Sequence, residues 1–264
     1  MTNTSDFKAL SQQRFGEYAQ GYVTSSDHAQ GTDLDRLVEI ARPQTDWLVL
    51  DVATGAGHTA LKFAPYVDRV IATDLTPKML DTAQAHIAGK GVENVSFQLA
   101  DAEDLPFEDE TFDLVTCRIA PHHFPAPARF VRQCARVLKP GALLVVQDHV
   151  LTEDERAAHC VEAFERLRDP SHNRALTERE WVDRFRDAGL SVEHTEQLIK
   201  GHEFVSWTKR QGSTPEVVER LVEMLREMPP AAAEWMQPRA VGTPEATFIN
   251  HHLIVAGRKG GVGV

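Results

Sequence analysis

The chain has 264 residues, 42% of them apolar, enough to bury a sizeable core, and a formal net charge of −11. Arg and Lys are scattered among acids, which disfavours a nucleic-acid substrate, since phosphate binding needs a basic face. The start MTNTSDFKALSQQRF lacks a secretory pattern, no apolar run approaches the roughly 20 residues that span a bilayer, and Cys117, Cys134 and Cys160 lack disulfide-framework or CxxC spacing, so a cytoplasmic protein with no membrane partner is expected.

Strand and helix signals alternate from about residue 32 to 150, the pattern of a parallel sheet wrapped by helices. Thr32, with Asp35 three residues on, opens a helix through Leu34, Leu37, Val38 and Ala41, which Pro43 ends. WLVLDV (47–52) reads as a buried strand running into a Gly-rich loop, and RVIATDL (69–75) as a second. Thr76-Pro77 starts a helix whose apolar face is Met79, Leu80, Ala83 and Ile87. VSFQLAD (95–101) and FDLVTCRIA (112–120) give two more strands. Pro127 to Leu138 is an amphipathic helix with Cys134 as core filler; Lys139-Pro140-Gly141 stops it, and ALLVVQDHV (142–150) is the fifth strand. Thr152 with Glu155, and Thr177 with Glu180, predict two capping boxes. LSVEHTEQL (190–198) and TFINHHLIVAGRK (247–259) are the last strands. A helical insertion lies between them, started by Thr214-Pro215 and broken by Pro229-Pro230. We expect a single domain over 1–264. Its core spans about 32–150, helical additions fall at about 1–31 and 200–240, and the Gly-rich tail 260–264 is flexible.

The loop after the first strand, Gly55-Ala56-Gly57-His58-Thr59-Ala60, fits the dinucleotide pattern G-x-G-x-x-G/A, but several nucleotide-binding folds share that turn. Three acids sharpen it. Asp51 precedes the glycines, where a carboxylate suits a cationic ammonium better than an anionic pyrophosphate. Asp74 ends the second strand, where an acid takes ribose hydroxyls. Asp101-Ala102 follows the third, where a carboxylate and a backbone N–H can meet an adenine edge. Any one of these acids could simply cap a turn; three at successive strand ends, on the side where open α/β sheets bind ligands, point to an adenosine compound.

LDVATGAGHTA, ATDLTPKMLDTA, ADAEDLPFEDETFDLVTCRIAPHHF and RVLKPGALLVV resemble, in order and spacing over residues 47–150, the motifs of class I S-adenosylmethionine (SAM) methyltransferases. The similarity is closest to the UbiE-like small-molecule branch. RLRDPSHNRALTEREWVDRF (166–185) also resembles a subset of that branch. The resemblance implies an α/β, Rossmann-like, seven-stranded and mostly parallel sheet with its last strand antiparallel. Helices would cover both faces, with a helical insertion before the last strand. It implies SAM as cofactor, S-adenosylhomocysteine as product and a small-molecule methyl acceptor as partner. Ala53, Thr54, Gly55 and Gly57 would pass along the methionine part, with Asp51 serving its amino group directly or through water. Asp74 would hold the ribose, with Leu75 and Met79 near the adenosine. Asp101, Ala102 and Glu103 would flank the adenine. Arg118 would face the methionine end, and Tyr22 and His28 lie where related enzymes fold a helix over the cofactor.

His122 and His123 follow the fourth strand, where the methyl group should point, and an imidazole of pKa about 6.5 suits a catalytic base. The resemblance favours a structural or cofactor-shell role over catalysis, because a His at this place accompanies unlike substrates. We expect His123 nearer the cofactor and His122 nearer the acceptor. His149, Arg168 and His172 are candidate substrate contacts, with Asp169 in the same loop. His251 and His252 point to opposite faces of one strand, which argues against a metal site, and none is expected. An NAD-type oxidoreductase would need a second domain or a Tyr/Lys pair, and neither is visible. A non-catalytic SAM-binding regulator stays open, as does the choice between monomer and homodimer.

Overall fold

In the computed structural model, residues 4–23 and 32–261 are described. The first half runs α1 (Thr4–Val23), α2 (Thr32–Ala41), β1 (Leu48–Val52), α3 (His58–Phe63), β2 (Arg69–Asp74), α4 (Pro77–Ala88), β3 (Val95–Leu99) and β4 (Phe112–Arg118). The second runs α5 (Pro127–Val137), β5 (Leu138–Leu151), α6 (Glu155–Arg168), β6 (Leu176–Thr177), α7 (Glu178–Asp187), β7 (Leu190–Glu203), α8 (Phe204–Arg210), α9 (Pro215–Arg226), α10 (Pro230–Met236) and β8 (Thr247–Lys259). The sheet order is β3-β2-β1-β4-β5-β8-β7, with β6 attached to β5. The pairs from β3 to β5 are parallel, while β8 is antiparallel to both β5 and β7.

Alternation along the central strands builds two apolar layers. Leu50, Val115 and Leu144 face one cluster with Phe130 and Cys134 of α5 and Trp181 and Phe185 of α7. Val49, Leu114 and Leu143 face the other with Leu37 of α2, Phe63 of α3 and Ile87 of α4. A third cluster joins α6, α8, α9 and α10 to Phe248 of β8. Stretches buried on both faces explain why the central strands read as continuous apolar runs.

Several boundaries differ from the sequence reading. β5 begins at Leu138, because Leu138 pairs with Phe112 before a register shift. Pro140 has no N–H and Gly141 sits at φ +80, so the stretch imitates a stop signal. β7 runs on to Glu203, which pairs with Thr247, so the helical insertion starts at Phe204. Strand β6, only two residues long, adds an eighth strand. The expected Thr152–Glu155 box is replaced by Asp154, whose carboxylate accepts from Arg156 N and Ala157 N. The Thr177–Glu180 box forms in full. The prolines at 229–230 both end one helix and open the next.

β1 has β2 on one side and β4 on the other. Successive connections therefore leave in opposite directions and open a crevice at the carboxyl ends of these strands, the usual ligand site of open α/β sheets.

Candidate active site

The crevice is an open cleft at the carboxyl ends of β1 to β4. Its floor is the turn after β1. Thr54 N donates to Thr73 O at 2.8 Å and Gly57 N to Thr54 O at 2.9 Å, closing the chain tightly. Ala53, Gly55 and Gly57 all have φ between 52° and 82°. Gly57 also lets α3 approach α4, since a Cβ there would lie 2.8 Å from Ile87 Cδ1.

Ala53, Thr54, Gly55, Asp74, Leu75, Met79, Asp101, Ala102, Glu103 and Arg118 line the cleft together. Asp74 is fixed by Gly55 N at 3.1 Å and Thr76 N at 2.9 Å; burial raises its carboxyl against the pull of these amides. Asp51 stands behind this wall. Its register beside Thr116 lets Thr116 Oγ1 donate to Oδ1 at 2.8 Å, while Thr54 Oγ1 donates to Oδ2 at 2.6 Å. Burial pushes the Asp51 carboxyl up to about 6 despite these hydroxyls. Gly57 shapes the turn without lining the cleft. His28 and the side chain of Tyr22 lie outside the described residues.

A helix over the cofactor was expected near Tyr22 and His28, but the α1 residues that reach the cleft were not singled out in the sequence. Lys8, Ser11 and Phe15 line the cleft from above. Lys8 Nζ lies 2.6 Å from both Asp101 and Glu103, and Gln12 Nε2 donates to Leu75 O at 2.8 Å. Contacts spanning some ninety residues of chain leave no local pattern to read.

A second, polar chamber adjoins the cleft; Phe15, Ile119 and His123 line both. His122, His149 and His172 line the chamber, as do His202 and His252. The rings of His122 and His123 are 4.1 Å apart, those of His122 and His149 4.6 Å, and those of His149 and His252 4.5 Å. Arg168, Asp169, Glu165, Lys200 and Arg210 complete the charged lining. Among the described residues, no three His, Cys, Asp or Glu side chains are placed to hold a metal ion.

Asp148, which the sequence reading passed over beside His149, organises this chamber. It is buried, and its carboxylate receives His122 N at 2.7 Å and contacts His122 Nδ1 at 2.6 Å. A polar triplet, Gln147-Asp148-His149, inside an apolar strand was the available signal. Burial pushes the Asp148 carboxyl up to about 7. Burial, then the neighbouring His123 and His172, pulls His122 well below the usual imidazole range, so the ring is neutral near pH 7. His123 Nδ1 lies 2.9 Å from Ser171 O, and burial lowers its pKa too. His172 differs: burial opposes its charge, but Glu162 at 2.9 Å outweighs that and raises it.

Arg118 and Lys200, one in the cleft and one in the chamber, share a single buried acid. Arg118 NH1 and Lys200 Nζ both donate to Asp33 Oδ2, at 2.9 and 2.8 Å. The same carboxylate therefore fixes one cation in each site.

A Gly turn after β1, acids closing β2 and β3, and a switch point beside β4 together define the SAM-dependent methyltransferase class. A family model described as a methyltransferase domain matches residues 50–146. The uncharacterized methyltransferase YcgJ of Bacillus subtilis (strain 168) is 38% identical over 211 residues, 80% of this chain and 83% of its own. The solved structure of BH2331 from Bacillus halodurans shares 37% identity at a TM-score of 0.83, covering 87% of this chain and all of that one. The ubiquinone/menaquinone C-methyltransferase UbiE of Pseudomonas fluorescens is 37% identical over 113 residues, 41% of this chain and 44% of its own. The chain belongs to the methyltransferase family and is a SAM-dependent methyltransferase. No helix among the described residues is long and apolar enough to cross a membrane.

Proposed function

We propose that the protein methylates a small molecule seated in the histidine chamber, with His122 as proton acceptor. The observation that carries this reading is the junction: cleft and chamber share Phe15, Ile119 and His123. A methyl donor in one and an acceptor in the other would meet there.

The cleft's residues fit SAM by their chemistry. Asp74 suits a vicinal diol, and Leu75, Met79 and Ala102 offer apolar faces near it. Asp101 and Glu103 would flank the adenine, with Lys8 closing over both. Ala53 to Gly55 and Arg118 would take the methionine end, with Asp51 acting through Thr54 because Asp51 stands behind the cleft wall that Thr54 lines. When bound, SAM supplies a methyl group made electrophilic by its sulfonium.

In its carboxylate form Asp148 would accept an Nδ1–H from His122, which selects the tautomer whose Nε2 is an acceptor. A neutral ring so oriented can take a proton from an acceptor hydroxyl as it becomes nucleophilic. The protein's remaining work is placement of the two partners, which supplies much of the acceleration.

Calorimetry with SAM, S-adenosylhomocysteine and NAD tests the cofactor, and S-adenosylhomocysteine release across a panel of phenols, quinols and thiols tests the transfer. SAM should bind and NAD should not. Binding of NAD without SAM would overturn the assignment of the cleft, and SAM binding without turnover of any panel member would favour a regulatory role.

A further inference from the structure

The segment from Arg168 to Asn173, RDPSHN, leaves α6 and folds back under the chamber. Pro170 cannot continue the helix and keeps Asp169 extended, at φ −124 and ψ 96. Asp169 Oδ1 then accepts Ser171 N at 2.9 Å, the bond by which an aspartate makes a turn. A turn former needs nothing more and usually sits in solvent. Asp169 is instead buried, as are Ser171 and His172, and its carboxylate has further partners. Ser171 Oγ donates to Oδ1 at 2.5 Å, Gln211 Nε2 donates to Oδ2 at 2.9 Å, and Arg14 Nε lies 3.5 Å from Oδ1. One carboxylate thus ties the loop to α1 and to the residue that follows α8.

The loop so held grips three consecutive residues after β4. Asn173 N and Arg174 N donate to His122 O at 2.9 and 3.0 Å, and Asn173 Nδ2 donates to Phe124 O at 2.8 Å. Between them, His123 Nδ1 lies 2.9 Å from Ser171 O. A carbonyl oxygen can only accept, so this hydrogen bond requires a hydrogen on Nδ1. Ser171 Oγ is 3.3 Å from the same nitrogen, but its one hydrogen goes to Asp169. Burial opposes the ionisation of Asp169, while His123, the Ser171 hydroxyl and Arg168 outweigh it and hold the carboxyl below its usual range, so near pH 7 it accepts and does not donate. Burial lowers His123, so its ring is neutral there and Nε2 carries the lone pair.

We infer that Asp169 is a positioning residue for His123: acting through Ser171, it fixes the Nδ1–H tautomer and keeps Nε2 a hydrogen-bond acceptor on the ring that lines both cleft and chamber. The opposite tautomer would present an N–H at that junction in place of a lone pair, and a hydroxyl on the methyl acceptor would lose a partner there. The purpose assigned to the tautomer rests on the methyl-transfer reading above; the tautomer itself does not. RDPSHN is then a brace for the histidine turn, and its acid serves His123 rather than the substrate.

The test is nitrogen-15 NMR of the full chain, labelled on histidine and saturated with S-adenosylhomocysteine, at pH 7. Wild type should show His123 with a protonated Nδ1 and a bare Nε2. Asp169→Ala should lose that signature, and Asp169→Asn, which keeps an oxygen for Ser171, should retain most of it. Ser171→Ala cuts the same link by one hydroxyl and should weaken the signature; it takes the place of Asp169→Ala if that variant does not fold. With any phenol, quinol or thiol that is turned over, Asp169→Ala should lower kcat about tenfold or more, with KM for SAM changed less than about threefold, as misplacement of one group does. An Nε2–H tautomer in wild type, an unchanged His123 signature in folded Asp169→Ala or in Ser171→Ala, or an undiminished kcat each overturns the inference. Failure of S-adenosylhomocysteine to bind would instead refute the cofactor reading, and the His123 tautomer would still be read in the free protein.

Discussion

Asp33→Ala is the substitution whose cost the structure fixes best. The side chains of Asp33, Arg118 and Lys200 are 2%, 4% and 15% exposed, so solvent screens them little. At about 4 Å and an effective dielectric near 20, each ion pair is worth roughly 4 kcal/mol before desolvation. Removing the shared acid takes a common carboxylate away from two largely buried cations, and breaking a buried pair in this way costs about 3–5 kcal/mol. Urea denaturation followed by circular dichroism should show that loss. Adding Lys200→Met to Asp33→Ala should recover part of it, because one stranded charge is then gone. The pH dependence has a definite sign. Burial alone would raise the Asp33 carboxyl, but Arg118 and Lys200 outweigh it and hold it below the usual range. A lowered folded-state value gives stability that is present above the unfolded pKa, about 3.9, and disappears as pH falls through the folded one. The difference between wild type and Asp33→Ala should therefore shrink below about pH 4. A loss under about 1 kcal/mol at neutral pH, within the range of an exposed pair, would refute the buried-triad reasoning.

Four other outcomes follow from the same geometry. Asp74→Ala should weaken S-adenosylhomocysteine binding by about tenfold or more in calorimetry, and unchanged affinity would show that the ribose lies elsewhere. Asp148→Asn offers an amide where a carboxylate faced the backbone N–H and Nδ1 of His122; if Asp148 sets the Nδ1–H tautomer, nitrogen-15 NMR should show His122 losing it, and persistence of that tautomer would remove Asp148 as its positioning residue. Gly57→Ala, at φ 82 and with its new Cβ 3.2 Å from Ala83 and closer still to Ile87, should cost about 1–3 kcal/mol by denaturation, and a neutral effect would contradict the close approach of α3 and α4. Glu162 raises His172, so their pairing stabilises fully below about pH 6.5 and fades as pH rises through the raised value; Glu162→Gln should cost more at pH 6 than at pH 9, and a pH-independent cost would count against the pairing.

The strands were legible because burial on both faces writes itself as continuous apolar runs, and β8 was read at its true limits, Thr247–Lys259. The boundaries that escaped depend on partners distant in sequence. Leu138 is a strand residue because Phe112 lies beside it, and β7 continues past Gly201 because β8 is there to pair with it. The same holds for the candidate site. Gly55, Asp74 and Asp101 sit at strand ends and could be found from the sequence. Lys8 and Asp33 act through residues 93 and 85 positions away, and no periodicity records such contacts. Lys200 was hidden for a related reason: it lies beyond Leu198, where the strand was read to end, and only its pairing with Asn250 of β8 carries β7 through it.

The junction between the two sites shows what the fold itself contributes. Ile119 follows the last residue of β4 with φ 53, a left-handed conformation that a β-branched residue avoids. Holding it there costs of order 1–3 kcal/mol, which the surrounding structure must over-determine. The donation of Ile119 N to Gln147 O at 2.7 Å ties the strained residue to β5, one position before Asp148. The chain thus turns sharply between Arg118, which lines the cleft, and His122, which lines the chamber. An extended Ile119 would carry β4 straight on and aim the Pro121–His123 turn elsewhere. The bend is what lets one strand end line both the cleft and the chamber, and it places the strain at the junction of the two.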